Sequence, residues 1–251
     1  GDRIAAVEAP GSLKGDNEID ATGKVVAPGF IDVHTHDDTY IIDHPDMAMK
    51  ASQGVTTVVC GNCGISASPY SRSDIPHLLS LSVKKTEHFG RTFAEFAGKV
   101  DAVKPAINGA FLIGHSTLRF DAMNLDVGRK ATDTEIGVMR DKLDQALKEG
   151  AIGMSSGLFY PPAMAATTDE VAEVARPLGK WGAVYTAHMR DETDEIFDYQ
   201  MQQVAAALPS GVLWLTLGAS LQQLVRAPRW GRAVSIFLGA ALAASIFMIL
   251  V

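Results

Sequence analysis

Two histidines one residue apart, His34-Thr-His36, close the short apolar run Phe30-Ile-Asp-Val. In an extended chain, residues i and i+2 face the same side, so both imidazoles can reach one divalent cation. A bare His-x-His is a weak signal, and two unrelated histidines at a surface turn would look the same. Here Pro28-Gly-Phe-Ile-Asp32 precedes the pair and Asp37-Asp38 follows it, a fuller pattern that favours the metal reading.

The chain's two cysteines form the second motif, Cys60-Gly-Asn-Cys63, also behind a strand-like run. A Cys-x-x-Cys can be half of a zinc ribbon, but a ribbon needs a second pair. It can be a redox pair, but those usually open a helix, and Gly61, Asn62 and Gly64 spell a turn. A single thiolate sharing a cation with imidazoles is the third reading. Cys60 continues the apolar run and reads as packing, which leaves Cys63 as the better ligand candidate.

His188 ends the run Ala183-Val-Tyr-Thr-Ala187 and joins the metal candidates because it shares their strand-end position. His115 follows Ile113-Gly114 and can be either a site residue or a structural one. Tyr160, backed by Pro161-Pro162, can hydrogen-bond a substrate carboxylate or plug a loop. His44, His77 and His88 lie in helix or loop contexts and are expected to be solvated.

These motifs need elements to carry them. Val55-Thr-Thr-Val-Val59 is β-branched throughout, and Ala110-Phe-Leu-Ile113, Ala151-Ile-Gly-Met154 and Ala183–187 are further strand candidates. Residues 43–53 and 75–104 have helical character. Thr132-x-x-Glu135 and Thr167-x-x-Glu170 are capping boxes, each followed by apolar residues at helical spacing. Strand and helix alternate about five times, the pattern of βα units around a parallel sheet, either a barrel or a doubly wound layer. In a barrel all strand C-termini open onto one face, so His34, His36, Cys63 and His188 could converge there. Residues 1–29 read as short strands and turns.

Composition narrows the function classes. A length of 251 residues with 47% hydrophobic and 20% charged residues supports a packed core. The net charge of −7, without a basic cluster, argues against a nucleic-acid partner. The chain opens on Gly1 with no signal-peptide pattern, which reads as a cut inside a longer chain.

The acidic residues all lie at or before Asp198, and residues 200–251 hold three arginines and no acid. Residues 204–225 and 233–251 are uncharged, and the latter are long enough to cross a bilayer as a helix. The loop Arg226-Ala-Pro-Arg-Trp-Gly-Arg232 would then face the cytoplasm. The alternative is a pair of buried core helices.

Residues 1–199 resemble the amidohydrolase superfamily and, within it, the N-acyl-D-amino-acid deacylase branch. The resemblance rests on Ala27-Pro-Gly-Phe-Ile-Asp-Val-His-Thr-His-Asp-Asp38, Gln53-Gly-Val-Thr-Thr57, Gly61-Asn-Cys-Gly64, Gly114-His115, Gly153 to Pro162 and His188-Met-Arg-Asp-Glu192. It implies an α/β fold: a metal-dependent-hydrolase (β/α)8 TIM-type barrel, with a small β-sandwich to which residues 1–29 contribute. It implies zinc (Zn) held by Cys63, by His188 and by a histidine on the next strand, with His34 and His36 lining a second, weaker position. It also implies that Tyr160 helps hold a small-molecule N-acyl-D-amino acid, whose amide is hydrolysed to a D-amino acid and a carboxylate. The Gly-Asn-Cys-Gly turn marks the branch, because other branches commonly bridge their metals with a carboxylated lysine.

The family pattern stops near Gln200. No histidine follows His188 and no aspartate follows Asp198, so the third tight ligand and the general acid–base are absent. The expected architecture is therefore an incomplete barrel over residues 30–199, part of a β-sandwich over 1–29, and two C-terminal apolar helices over 200–251. The tail resembles the last membrane helices of lysine-exporter-type efflux proteins, as in a chimeric reading frame. That implies a cytoplasmic enzyme portion, inner-membrane association through residues 204–251, and impaired activity. Two alternatives remain: a cyclic-amide hydrolase of the dihydropyrimidinase type, and a membrane-anchored or transport-related chimera.

Overall fold

The computed structural model describes residues 4–9 and 11–191. Five strands form one parallel sheet: β1 (Phe30–Asp32), β2 (Val55–Cys60), β3 (Asn108–Gly114), β4 (Gly153–Gly157) and β5 (Val184–His188). Their spatial order is their sequence order. A doubly wound sheet reverses its strand order at a switch point, whereas a barrel wall advances in one direction. The sheet is thus a barrel segment, and its C-terminal strand ends share one rim.

The helical connections are α1 (Tyr40–Asp43), α2 (Ala48–Ala51), α3 (Phe93–Val103), α4 (His115–Ala122), α5 (Asp133–Lys148), α6 (Pro161–Met164), α7 (Thr168–Ala175) and α8 (Pro177–Trp181). Helix α5 begins with the expected capping box: Glu135 N–H donates to Thr132 Oγ1 at 3.3 Å, and Thr132 N–H donates to Glu135 Oε2 at 2.8 Å. Its Met139 and Leu143 bury completely in a core that also contains Phe96, Phe111, Ile113, Leu118 and Val174. Each such side chain contributes about 1.5–3 kcal/mol by leaving water.

Three expectations need correction. The Thr167 box forms only halfway. Thr167 Oγ1 accepts from Glu170 N–H at 3.1 Å, but the Glu170 carboxylate turns inward to a buried arginine instead of back to the cap. Residues 75–104 are mostly irregular before α3, with single 3₁₀ turns at Leu79–Leu81 and Thr86–His88. Residues 43–53 carry only the one-turn α2 and the last residue of α1.

The strands expected within 1–29, and the partial β-sandwich they would build, do not form among the described residues. Ile4, Val7, Ile19, Val25 and Val26 are all more than 80% exposed. Their β-propensity finds no partner strand, and propensity without packing does not make a sheet. The membrane-helix reading of residues 200–251 lies outside the described residues. Among those described, no helix is long and apolar enough to cross a membrane.

Candidate metal centre

Strand β1 ends at Asp32, short of the histidines. The chain nevertheless stays beside β2, because Thr35 N–H donates to Val59 O at 3.1 Å. Extended alternation therefore persists, and the His34 and His36 rings lie 5.8 Å apart, edge to face. Lys50 braces the flanks of this segment, meeting Asp32 at 2.6 Å and Asp37 at 3.2 Å. The lysine contact holds the Asp32 carboxyl below the usual carboxylate range.

The Gly61-Asn-Cys-Gly64 turn follows β2 and packs against the backbones of β3 and β4. Gly61 has φ +80°, and a Cβ there would stand 2.1 Å from Leu112 O. Gly64 has φ +78°, with Gly157 N 2.8 Å from the place of its missing Cβ. Only glycine fits either position. Ser155 of β4 ties the turn down: Gly64 N–H donates to its Oγ at 2.9 Å, and its hydroxyl donates to Gly61 O. Asn62 donates to Val59 O at 2.9 Å and accepts from Thr186 of β5 at 3.4 Å, linking two distant strand ends.

Held this way, Cys63 itself takes a left-handed φ of 56°. Its Sγ lies 3.2 Å from His34 Nε2 and 3.8 Å from His188 Nδ1. One donor atom from each of His34, His36 and Cys63 falls within 4.8 Å of the others. Tyr160 closes the rim, with its hydroxyl 3.4 Å from His188 Nδ1 and its ring 4.8 Å from the imidazole. Burial pushes the Cys63 thiol up, with the Tyr160 hydroxyl opposing. Burial also pushes His36 down, helped by the neighbouring His34.

One sulfur and two imidazoles converge on a common point, and the His188 ring lies on the far side of the sulfur. A soft thiolate with imidazoles suits zinc and its neighbours better than magnesium or calcium. The donor set therefore fits a zinc-like ion.

The other candidates separate. Cys60 is fully buried, and burial drives its thiol far up, so it packs as expected. His115 is fully buried at the start of α4, and its side chain turns to Glu170, with Nε2 3.2 Å from Glu170 Oε1. His44 and His77 are exposed. His88 is buried, not solvated, with its Nε2 3.5 Å from Asp43 Oδ1.

Sequence reasoning passed over Asp38, Ser82 and Arg119. Asp38 is 1% exposed, and burial pushes its carboxyl up to about 7 despite the Gly61 N–H and the Ser82 hydroxyl. Arg119 is fully buried and ion-pairs with Glu170. It also donates to the carbonyls of Pro162 at 2.8 Å, Val127 at 3.0 Å and Arg129 at 2.6 Å. Local pattern offered only the adjacency of Asp38 to the His-x-His pair as a signal.

A parallel barrel segment with histidines and a cysteine at its C-terminal rim is the plan of a metal-dependent hydrolase. The Amidohydrolase family model matches residues 17–226, and the chain belongs to that family. It is 48% identical to a D-aminoacylase of Alcaligenes xylosoxydans xylosoxydans over 78% of this chain and 40% of that protein. Its fold matches the crystal structure of D-aminoacylase with a TM-score of 0.78 at 47% identity, covering 82% of this chain and 43% of that one. It also matches an N-acyl-D-glutamate deacylase from Bordetella bronchiseptica, solved with zinc and a phosphonate mimic of the tetrahedral intermediate. That match has a TM-score of 0.76 at 38% identity, over 81% of this chain and 43% of that one. The chain spans about two fifths of the length of the curated relatives it matches.

Proposed function

We propose that this chain carries the metal-binding half of a zinc-dependent N-acyl-D-amino-acid deacylase. The observation that carries this reading is Cys63 Sγ within reach of both His34 and His188, which come from opposite edges of the sheet. The relatives named above act on N-acyl-D-amino acids by name, and one was solved with zinc. In this reading Cys63 and His188 are the tight ligands, and His34 and His36 line the adjacent position.

When bound, such an ion lowers the pKa of a coordinated water and polarises an amide carbonyl. The chain's own residues do the rest. Cys63 and the imidazoles fix where the amide must lie. Tyr160, with its ring packed on His188, presents a hydroxyl that can hold a substrate oxygen and orient the scissile bond. The Gly-Asn-Cys-Gly turn favours this reading over the cyclic-amide one, which would call for a bridging carboxylated lysine.

Calorimetry with a phosphonate analogue of an N-acyl-D-amino acid tests the reading. The zinc-loaded chain should bind the D enantiomer in preference to the L, and zinc removal should abolish binding. Equal binding of both enantiomers, or binding that ignores zinc, would overturn it.

A further inference from the structure

Ser82 lies in the irregular segment between β2 and α3, at the C-terminal cap of the 3₁₀ turn Leu79–Leu81, and is 3% exposed. Its Oγ is 3.3 Å from His36 Nδ1. Its own carbonyl accepts from Thr39 Oγ1 at 2.8 Å, which pins the segment against the chain just beyond the His-x-His pair. The Asp38 carboxyl is close enough to feel the same hydroxyl, and its Oδ2 is buried without a hydrogen-bond partner.

We propose that Ser82 is a positioning residue that sets the tautomer and tilt of His36 through a hydrogen-bonded chain ending on Asp38. The argument is one of donors and acceptors. A hydroxyl has one proton to give and lone pairs to receive. The Asp38 carboxylate is the acceptor assigned here, because its buried Oδ2 has no hydrogen-bond partner, Ser82 included, and a small rotation would close that contact. The Ser82 oxygen then accepts from the His36 Nδ1–H, and this tautomer leaves the lone pair on Nε2 for a cation. Ring nitrogens not used for a metal usually take such a partner, which fixes the ring's direction and raises its basicity. A carboxylate reached through a hydroxyl, from a loop that the sequence pattern does not mark, would supply this partner here.

The inference rests on the metal reading, and the test separates the two. Co2+ is titrated into the full 251-residue chain, and the thiolate-to-cobalt absorption from Cys63 and the ligand-field bands give the affinity. Ser82→Ala should weaken Co2+ binding by roughly 10-fold, the usual loss when such a partner is removed. Ser82→Thr, which keeps the hydroxyl, should restore most of it. His36→Ala should weaken binding at least as much, and adding Ser82→Ala to it should change nothing further. Imidazole nitrogen NMR of the metal-free chain should show His36 as the Nδ1–H tautomer, and this signature should be lost in Ser82→Ala. Unchanged affinity in Ser82→Ala, additive losses in the double variant, or an Nε2–H tautomer at His36 would overturn the inference alone. A wild-type chain that takes up no Co2+ would overturn it together with the metal reading.

Discussion

Cys63 Sγ sits 3.2 Å from His34 Nε2 across 29 residues of sequence, and the turn that brings them together has no room for a side chain at Gly61. The ligand candidate and the glycine before it are parts of one device. The tight turn swings the sulfur away from the β2 wall and onto the rim.

Gly61→Ala should therefore be severe. The new Cβ would meet Leu112 O at 2.1 Å in a left-handed backbone region. The expected cost is about 2–4 kcal/mol from overpacking and strain together. Urea unfolding should show a lower midpoint and weaker metal uptake, and a variant as stable as wild type would contradict this account of the turn.

The two cysteines should differ sharply. Cys63→Ser should lose the thiolate-to-cobalt absorption. Cys60→Ala should keep it, while losing roughly 1 kcal/mol of stability from its packed position. Retention of the absorption in Cys63→Ser would place the sulfur ligand elsewhere.

Lys50 should matter more to the metal than to the fold. Its contacts with Asp32 and Asp37 are partly exposed, so Lys50→Ala should cost only about 0.5–1 kcal/mol in thermal unfolding. The same change frees both flanks of His34 and His36, so Co2+ affinity should fall several-fold. An unchanged affinity would show that the β2 pairing alone holds the segment.

The buried His115–Arg119–Glu170 cluster should make the fold acid-sensitive. Burial alone would push Glu170 up, but His115 and Arg119 outweigh it and hold the carboxyl down to about 2. Burial dominates for His115 and pushes it below its ordinary value, with Glu170 opposing. Both folded groups refuse protons that the unfolded chain accepts, so both contribute stability at neutral pH that is lost on acidification. The His115 contribution should begin to fall below about pH 6.5, and that of Glu170 between about pH 4.5 and 2. Glu170→Gln leaves Arg119 buried without a counter-charge and should cost about 3–5 kcal/mol. It should also flatten the lower limb of the stability–pH curve, and an unchanged limb would contradict the assignment.

Much of this was readable in the chain, and the gaps have physical causes. The β-branched run of β2, the close of β5 at His188 and the placement of His34 and His36 just beyond β1 follow from local pattern. The sequential strand order does not, because an alternating sequence fits a barrel or a doubly wound layer equally well. Glu170 looked like a capping residue because Thr167 precedes it, yet Arg119 on another helix captures its carboxylate. His88 looked solvated, but the irregular segment that carries it folds inward. Ser82 was invisible for the same reason: its partners are chosen by a loop path that no hydrophobic period encodes.

X-ray absorption at the zinc edge of the zinc-loaded full chain tests the central claim most directly. One sulfur at about 2.3 Å with imidazole nitrogens at about 2.0–2.1 Å is the predicted shell. A shell of light atoms without sulfur, or a chain that retains no zinc after dialysis, would contradict it.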